Sequence, residues 1–264
     1  MIRKQYIEGR YGQVHVRLVR PPAEKTRPLV CFHQSPLSGR MYETFMTAIG
    51  DDRRVVAPDT VGFGESAAAP RSLTIADYAE AHGDAIDALI QGEFDVLGTH
   101  TGARMAVEVA LQRPDQVRHV VLIGCAVYTE EERARQRAWT GASAQPTEGS
   151  DGSHLLRLWH NWAQFRGPGV TDAMIDRYMA DSLRRRDQVS DVMKAVFSHD
   201  MTRVGLVRCP VLVFNVRDDI YEATKRAEPL LQRGRVVDMS PSGLWLTETR
   251  TAEVVAMIRD HLSR

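Results

Sequence analysis

The sequence has no excess of charge of either sign. Its 34 Lys and Arg residues are matched by 34 Asp and Glu residues, so the field of the whole molecule offers no strong attraction for nucleic acid or for an anionic membrane. No run approaches the roughly 20 apolar residues that cross a bilayer, and the first residues lack an apolar signal-peptide core. We therefore expect a cytoplasmic protein that acts on a small molecule, with assembly into a homo-oligomer left open.

Cysteine is scarce, and cofactor motifs are absent from the sequence. The three cysteines, Cys31, Cys125 and Cys209, each stand beside a strand-like apolar run. An odd number in such positions predicts reduced core thiols and excludes a disulfide framework. Since the sequence contains neither CxxC nor HExxH, we expect no metal ion and no organic cofactor.

Short β-rich runs alternate with helical patterns along the chain. The runs lie at 28–33, 53–59, 94–100, 117–124 and 209–216, and the clearest helical patterns at 74–89, 102–112, 223–231 and 248–262. Such alternation predicts an α/β protein with a mostly parallel sheet flanked by helices. The alternating segments Gln5–Glu8 and Gln13–Val19 predict an antiparallel hairpin at the sheet edge.

The alternation of strand and helix patterns stops between residues 126 and 201, where charged helical stretches replace the strand-like runs. The sequence therefore predicts a core made of residues 1–125 and 202–264, with a helical cap or lid at 126–201. Its position predicts that it lies above the carboxyl ends of the strands, where open α/β sheets bind ligands. The Gly/Ser/Pro-rich stretch 141–153 predicts a mobile loop within it.

The decisive segment is a strand that runs through Gly98-Thr99-His100-Thr101-Gly102 into a helix. A sharp strand-to-helix turn strains its central residue, and side chains two positions before and after it would collide with neighbouring backbone. Glycine at 98 and 102 meets that requirement. The pattern predicts that His100 is held at the floor of a pocket.

With this elbow, the chain resembles the α/β-hydrolase superfamily over nearly its whole length. Further support comes from VCFHQSPLSG at 30–39, VVAPDTVGFGES at 55–66, CPVLVFNVRDD at 209–219 and the final segment from VVDMSPSGLW onward. The resemblance implies the α/β-hydrolase fold with its helical cap. It places the acid at Asp219, beside Asp218, and the backbone N–H groups of an oxyanion hole at Ser35 and Thr101.

Two positions depart from the family pattern. The nucleophilic serine is replaced by His100, and the catalytic histidine by Leu244. Because a serine hydroxyl needs a base within hydrogen-bond reach, ordinary serine esterase chemistry is not expected. His100 has the reference pKa of a general acid or base near neutral pH.

Three chemistries stay open for His100: a base on a substrate C–H or O–H, which we prefer, a base that activates water, or a nucleophile that forms an acyl-imidazole. The leading hypothesis is a cofactor-independent enzyme acting on a small carbonyl or carboxylate compound, of hydrolase or of lyase, decarboxylase or isomerase type. The alternative is a non-catalytic ligand-binding protein or pseudoenzyme on the same fold.

The remaining candidates would line the substrate pocket. Gln34 replaces a glycine in the oxyanion loop and brings a side-chain amide, while Leu244 and Trp245 would narrow the pocket. In the predicted cap, His160 or Arg166 could hold a substrate carboxylate. For this aromatic helix, packing is the competing interpretation, since its spacing is typical of a buried helix face.

Overall fold

The protein is described here by a computed structural model, which covers residues 1–142 and 151–264, without the side chains of residues 139–142 and 186. Most of the predicted mobile loop, residues 143–150, lies outside the described residues. None of the described helices is both long and apolar enough to span a membrane.

An eight-stranded sheet forms the centre of the fold, with strand order β1-β2-β4-β3-β5-β6-β7-β8. The hairpin β1–β2 is antiparallel and lies at one edge, β2 pairs with β4 antiparallel, and all further pairings are parallel. The strands are β1 (Arg3–Gly9), β2 (Gly12–Val19), β3 (Leu29–Phe32), β4 (Val55–Pro58), β5 (Phe94–Thr99), β6 (Val117–Ile123), β7 (Val211–Asn215) and β8 (Gly234–Asp238). The predicted mostly parallel sheet is confirmed.

Ten α-helices are assigned among the described residues. They are α1 (Glu43–Ile49), α2 (Ile75–Leu89), α3 (Thr101–Gln112), α4 (Glu130–Ala142), α5 (Ser153–Ala163), α6 (Asp172–Arg184), α7 (Val189–Ser198), α8 (Tyr221–Lys225), α9 (Leu246–Thr249) and α10 (Thr251–Leu262). The predicted helix at 223–231 is too long. Pro229 lacks the N–H that a continuing helix needs, and the chain there forms a 3-10 turn, Glu228–Leu230, instead.

Both faces of the sheet are covered, which explains the apolar strand sequences. Val30, Val96 and Val120 belong to one apolar cluster, whereas the next residue of each strand belongs to the cluster on the opposite face. This alternation follows from the pleat of a strand. Cys31 and Cys125 are buried within this core, Cys209 is half-buried, and all three are free thiols.

Helices α4 to α7 lie between β6 and β7, within the segment predicted as a cap. Helix α6 and the residue that follows it are tied to loops of the sheet domain: Ser38 Oγ donates to Asp181 at 2.6 Å, and Arg185 Nε donates to the carbonyl of Gly62 at 3.2 Å. A helical cap or lid at 126–201 stays a prediction.

Candidate functional site

The sharp turn between β5 and α3 is centred on His100. Its backbone has φ 49° and ψ −106°, and it is the only residue other than glycine with positive φ among the described residues. Such a conformation costs about 1–3 kcal/mol and persists only where the surroundings impose it. A Cβ added at Gly98 would lie 2.2 Å from the Gly102 oxygen, and one at Gly102 would lie 1.9 Å from the Phe32 oxygen. The two glycines therefore allow the turn against β3.

His100 forms a direct pair with a buried carboxylate from the loop after β7. Its Nε2 lies 2.8 Å from Asp218 Oδ2, and the side chain of Asp218 is 0% exposed whereas that of His100 is 19% exposed. The other oxygen, Oδ1, accepts the backbone N–H of Ile220 at 2.9 Å. Asp218 is thus fixed from two sides, and the contact forms without an intervening histidine.

The electrostatics of this pair favour the imidazolium. Burial lowers the pKa of His100, but the charge of Asp218, its hydrogen bond and the charge of Asp219 together outweigh burial and raise that pKa above its ordinary value. A carboxylate can only accept hydrogen bonds, so in the neutral imidazole Nε2 carries the hydrogen and Nδ1 carries the lone pair. Nδ1 has no hydrogen-bond partner among the described residues, which leaves it for a substrate or water.

The ring of His100 packs against the ends of β6 and of the loop after β7. A Cβ added at Gly124 would meet His100 Cδ2 at 3.2 Å and Ile220 Cδ1 at 2.7 Å, so only glycine lets this backbone approach the imidazole. Gly124 and Ile220 were not identified from the sequence. A glycine directly after a buried strand was the available signal.

Asp219, the predicted acid, does not make this bond. It is exposed, and it acts on His100 only through its charge. Ligand atoms of His100, Asp218 and Asp219 all lie within 4.8 Å of one another. This is the one group of described residues with the donor set of a divalent-cation site.

The predicted oxyanion residues flank the elbow. Thr101 opens α3, and N–H groups in the first turn of a helix have no partner within the helix. The loop containing Ser35 follows β3. The carbonyl of Phe32, the last residue of β3, approaches Gly102 so closely that a side chain at this position would collide with it. Gln34 is buried, and its Oε1, like Ser35 Oγ, has no hydrogen-bond partner among the described residues.

Comparison with known proteins agrees with this architecture. Residues 27–145 match the family model described as alpha/beta hydrolase fold. Haloalkane dehalogenase 2 of Mycobacterium tuberculosis is 32% identical over 96 residues, which are 36% of this chain and 34% of that protein. The 2-hydroxymuconate semialdehyde hydrolase of a Pseudomonas species is 34% identical over 82 residues, 31% of this chain and 29% of the relative. The matches thus span about a third of these curated relatives.

Likeness in structure extends over the whole chain. An esterase from Exiguobacterium antarcticum superposes with a TM-score of 0.81 at 14% identity, covering 99% of this chain and 100% of the esterase. The chain has the α/β-hydrolase fold.

The position at which the sequence resemblance implies a catalytic histidine is apolar. Leu244 is buried. The next residue, Trp245, stacks on Tyr178 of α6 with ring centroids 4.8 Å apart and meets the edge of Trp162 at 6.4 Å. Trp245 Nε1 is buried without a hydrogen-bond partner among the described residues. The final loop therefore packs against helices α5 and α6.

The two polar cap candidates lie elsewhere. His160 and Arg166 are exposed. Arg166 forms an ion pair with Asp172, and its guanidinium lies 5.8 Å from the ring centroid of Trp159. These contacts do not bring Arg166 to His100. On α5, Trp162 belongs to a buried apolar cluster and Trp159 packs against that cluster, which favours packing as the reason for the aromatic spacing.

Proposed function

We propose that this chain is a cofactor-independent hydrolase of a small carbonyl compound, in which His100 is the general acid and base. The observation that carries the proposal is the pair of His100 with buried Asp218, which leaves Nδ1 free at a strained turn. Perturbed titratable groups held in this way are typical of catalytic sites. The curated relatives are named as a dehalogenase and a semialdehyde hydrolase, which favours hydrolysis over lyase or isomerase chemistry.

In the proposed reaction, Nδ1 of neutral His100 accepts a proton from water while the water oxygen attacks the carbonyl carbon. The N–H groups of Thr101 and Ser35 would stabilise the oxyanion that forms, since backbone donors do not depend on side-chain identity. As the oxyanion returns to a carbonyl, the bond to the leaving group breaks, and Nδ1–H gives its proton to that group. Water is consumed, and an acid and a leaving-group alcohol or enol are released.

Asp218 would hold the imidazole in the tautomer with hydrogen on Nε2 and stabilise the imidazolium. In the loop proposed to hold the oxyanion, the unpartnered Gln34 Oε1 and Ser35 Oγ support a polar ligand, because buried groups without partners cost about 1–3 kcal/mol each and a bound molecule can satisfy them. A cytoplasmic location and a lid at 126–201 remain part of the proposal.

The test incubates wild type, His100→Ala and, as a control at the start of helix α5, His154→Ala with a panel of small esters, lactones and β-keto acids, followed by mass spectrometry. Wild type and the His154 control should convert the same compound with gain of water. His100→Ala should lose a factor of about 10²–10⁴, the usual contribution of a positioned acid or base. Equal activity of His100→Ala, or loss of CO2 in place of gain of water, would overturn the proposed chemistry.

A further inference from the structure

A second candidate site lies at the amino ends of the strands, whereas His100 lies at their carboxyl ends. A depression of about 730 Å³ is bordered by residues that precede or begin successive strands, among them Arg53 before β4, Arg27 before β3, Glu93 before β5 and Arg233 before β8. The six residues of β5 rise about 3.3 Å each, so roughly 20 Å separate the amino ends of the strands from His100 at the carboxyl end of β5. A ligand here would not be the substrate of the His100 site.

The lining is strongly basic in a chain whose total charge is balanced. Seven Lys or Arg side chains border the depression, against two carboxylates, Glu93 and Asp95. Both carboxylates are already paired, Glu93 with Arg118 and Asp95 with Arg27. The local excess of positive charge is therefore not neutralised by the lining itself.

Three of the cations have no ionic partner. Among the described residues, the side chains of Lys25, Arg208 and Arg233 make no hydrogen bond or ion pair, and all three are exposed. They approach the depression from three separate segments, before β3, β7 and β8. Exposed cations on one rim attract anions from solution.

A buried group supplies the independent observation. Arg53 lines the depression and is only 3% exposed. Its Nε donates to Asp52 at 3.2 Å, but its Nη1 is buried with no hydrogen-bond partner among the described residues. An unpaired guanidinium N–H is costly in a folded protein, and an anion seated in the depression could accept that hydrogen bond.

We infer that this depression binds a compact polyphosphate, an organic or inorganic anion with two or more phosphate groups. Planar guanidinium groups match phosphate oxygens in a bidentate manner. The volume falls within the range of about 300–1,000 Å³ typical of small-molecule sites. A balanced net charge and a confined basic site favour a small anion over a nucleic acid.

The experiment measures binding of inorganic triphosphate to the full chain by titration calorimetry. Arg208→Gln/Arg233→Gln removes two unpaired cations of the rim, and Arg3→Gln/Lys4→Gln removes the same charge from the edge strand β1. Wild type and the β1 variant should bind one triphosphate alike. The rim variant should bind about tenfold more weakly, through loss of two charge contacts in a partly hydrated site.

Arg53→Gln should weaken triphosphate binding further, and the exposed rim variant decides the question if Arg53→Gln does not fold. Citrate, a tricarboxylate, should bind more weakly than triphosphate. No binding to wild type, equal binding by the rim and β1 variants, or citrate as tight as triphosphate would each overturn the assignment to phosphate. None of these results depends on the chemistry proposed for His100.

Discussion

Two histidines that follow neighbouring parallel strands have opposite environments. His33 comes directly after β3 and is fully buried, with Nδ1 3.0 Å from the Gln34 carbonyl and Nε2 accepting the Thr60 N–H at 2.8 Å. Burial lowers its pKa. His100 comes directly after β5, is partly exposed, bonds Asp218 through one nitrogen and has a raised pKa.

The difference teaches what separates a structural histidine from a catalytic candidate. Both nitrogens of His33 are used by backbone groups, so the ring is fixed as a neutral crosslink between two loops. At His100 one nitrogen is held by a charged group and the other is free, which is the arrangement a general base requires. Neither the residue type nor its place after a strand makes this distinction.

The largest expected effect comes from removing the charge that distinguishes His100. In Asp218→Asn, the amide can donate to Nε2 and favour hydrogen on Nδ1, the tautomer that cannot accept a proton there. We expect kcat/KM on the substrate found in the panel to fall by about 10²–10⁴, as when a catalytic aspartate is replaced by its amide. Steady-state kinetics with matched circular dichroism spectra would check this. Activity within threefold or so of wild type would remove Asp218 from the mechanism.

Replacing His33, the other histidine of the comparison, should lower the stability of the fold. His33→Leu leaves the Thr60 N–H and the Gln34 carbonyl without their partner in a buried place, and we expect the free energy of unfolding to fall by about 2–4 kcal/mol. Urea unfolding gives the value. His160→Leu, at an exposed position, is the matched control and should change stability by less than about 0.5 kcal/mol. A His33 variant as stable as its control would show that the two bonds contribute little.

Much of the fold could be predicted because it follows from local patterns. Apolar runs buried on both faces predict the parallel strands. The two glycines at 98 and 102 predict the elbow, because a Cβ at either position would collide with neighbouring backbone. Strand β8 was not predicted, because Gly234–Asp238 is a short, half-exposed edge strand with no clear apolar run. Local pattern carries no information on such an edge.

The site was predicted only as far as its backbone position. His100 follows from the elbow, but the choice between two adjacent aspartates does not follow from sequence, because it depends on how the loop after β7 turns. That loop buries Asp218 against Ile220 and leaves Asp219 in solvent. The contacts of Trp245 with α5 and α6 likewise come from tertiary packing.

The contrast between the histidines should also appear in stability against pH. Burial lowers the pKa of His33, of His82 to about 3 and of His261 to about 4, so below the unfolded value of about 6.5 the unfolded chain binds more protons. The stability that these three histidines contribute is therefore fully present above the unfolded pKa and is lost as the pH falls below it. His100 has the opposite sign, because its raised pKa adds stability below the unfolded pKa that is lost as pH rises through the folded one.

We therefore expect the free energy of unfolding to fall between about pH 6.5 and 4.5, with each buried histidine contributing up to about 1.4 kcal/mol per pH unit. Urea unfolding across this range measures the slope. His82→Gln should flatten it, since the variant has no imidazole to protonate on unfolding. An unchanged slope in that variant would assign the acid sensitivity to other groups.

The smallest effect is expected at Asp219, and it tests which aspartate is the partner of His100. Asp219→Asn removes a charge that raises the pKa of His100 but removes no hydrogen bond to it. The base must be neutral to accept a proton, so a lower pKa moves the acid limb of the kcat/KM profile to lower pH, by less than about one unit for a partly exposed charge. The maximum rate should stay within a fewfold range of wild type. A collapse of activity in Asp219→Asn, with Asp218→Asn unaffected, would reverse the roles of the two carboxylates. The loop after β7 would then have to adopt a different conformation during catalysis.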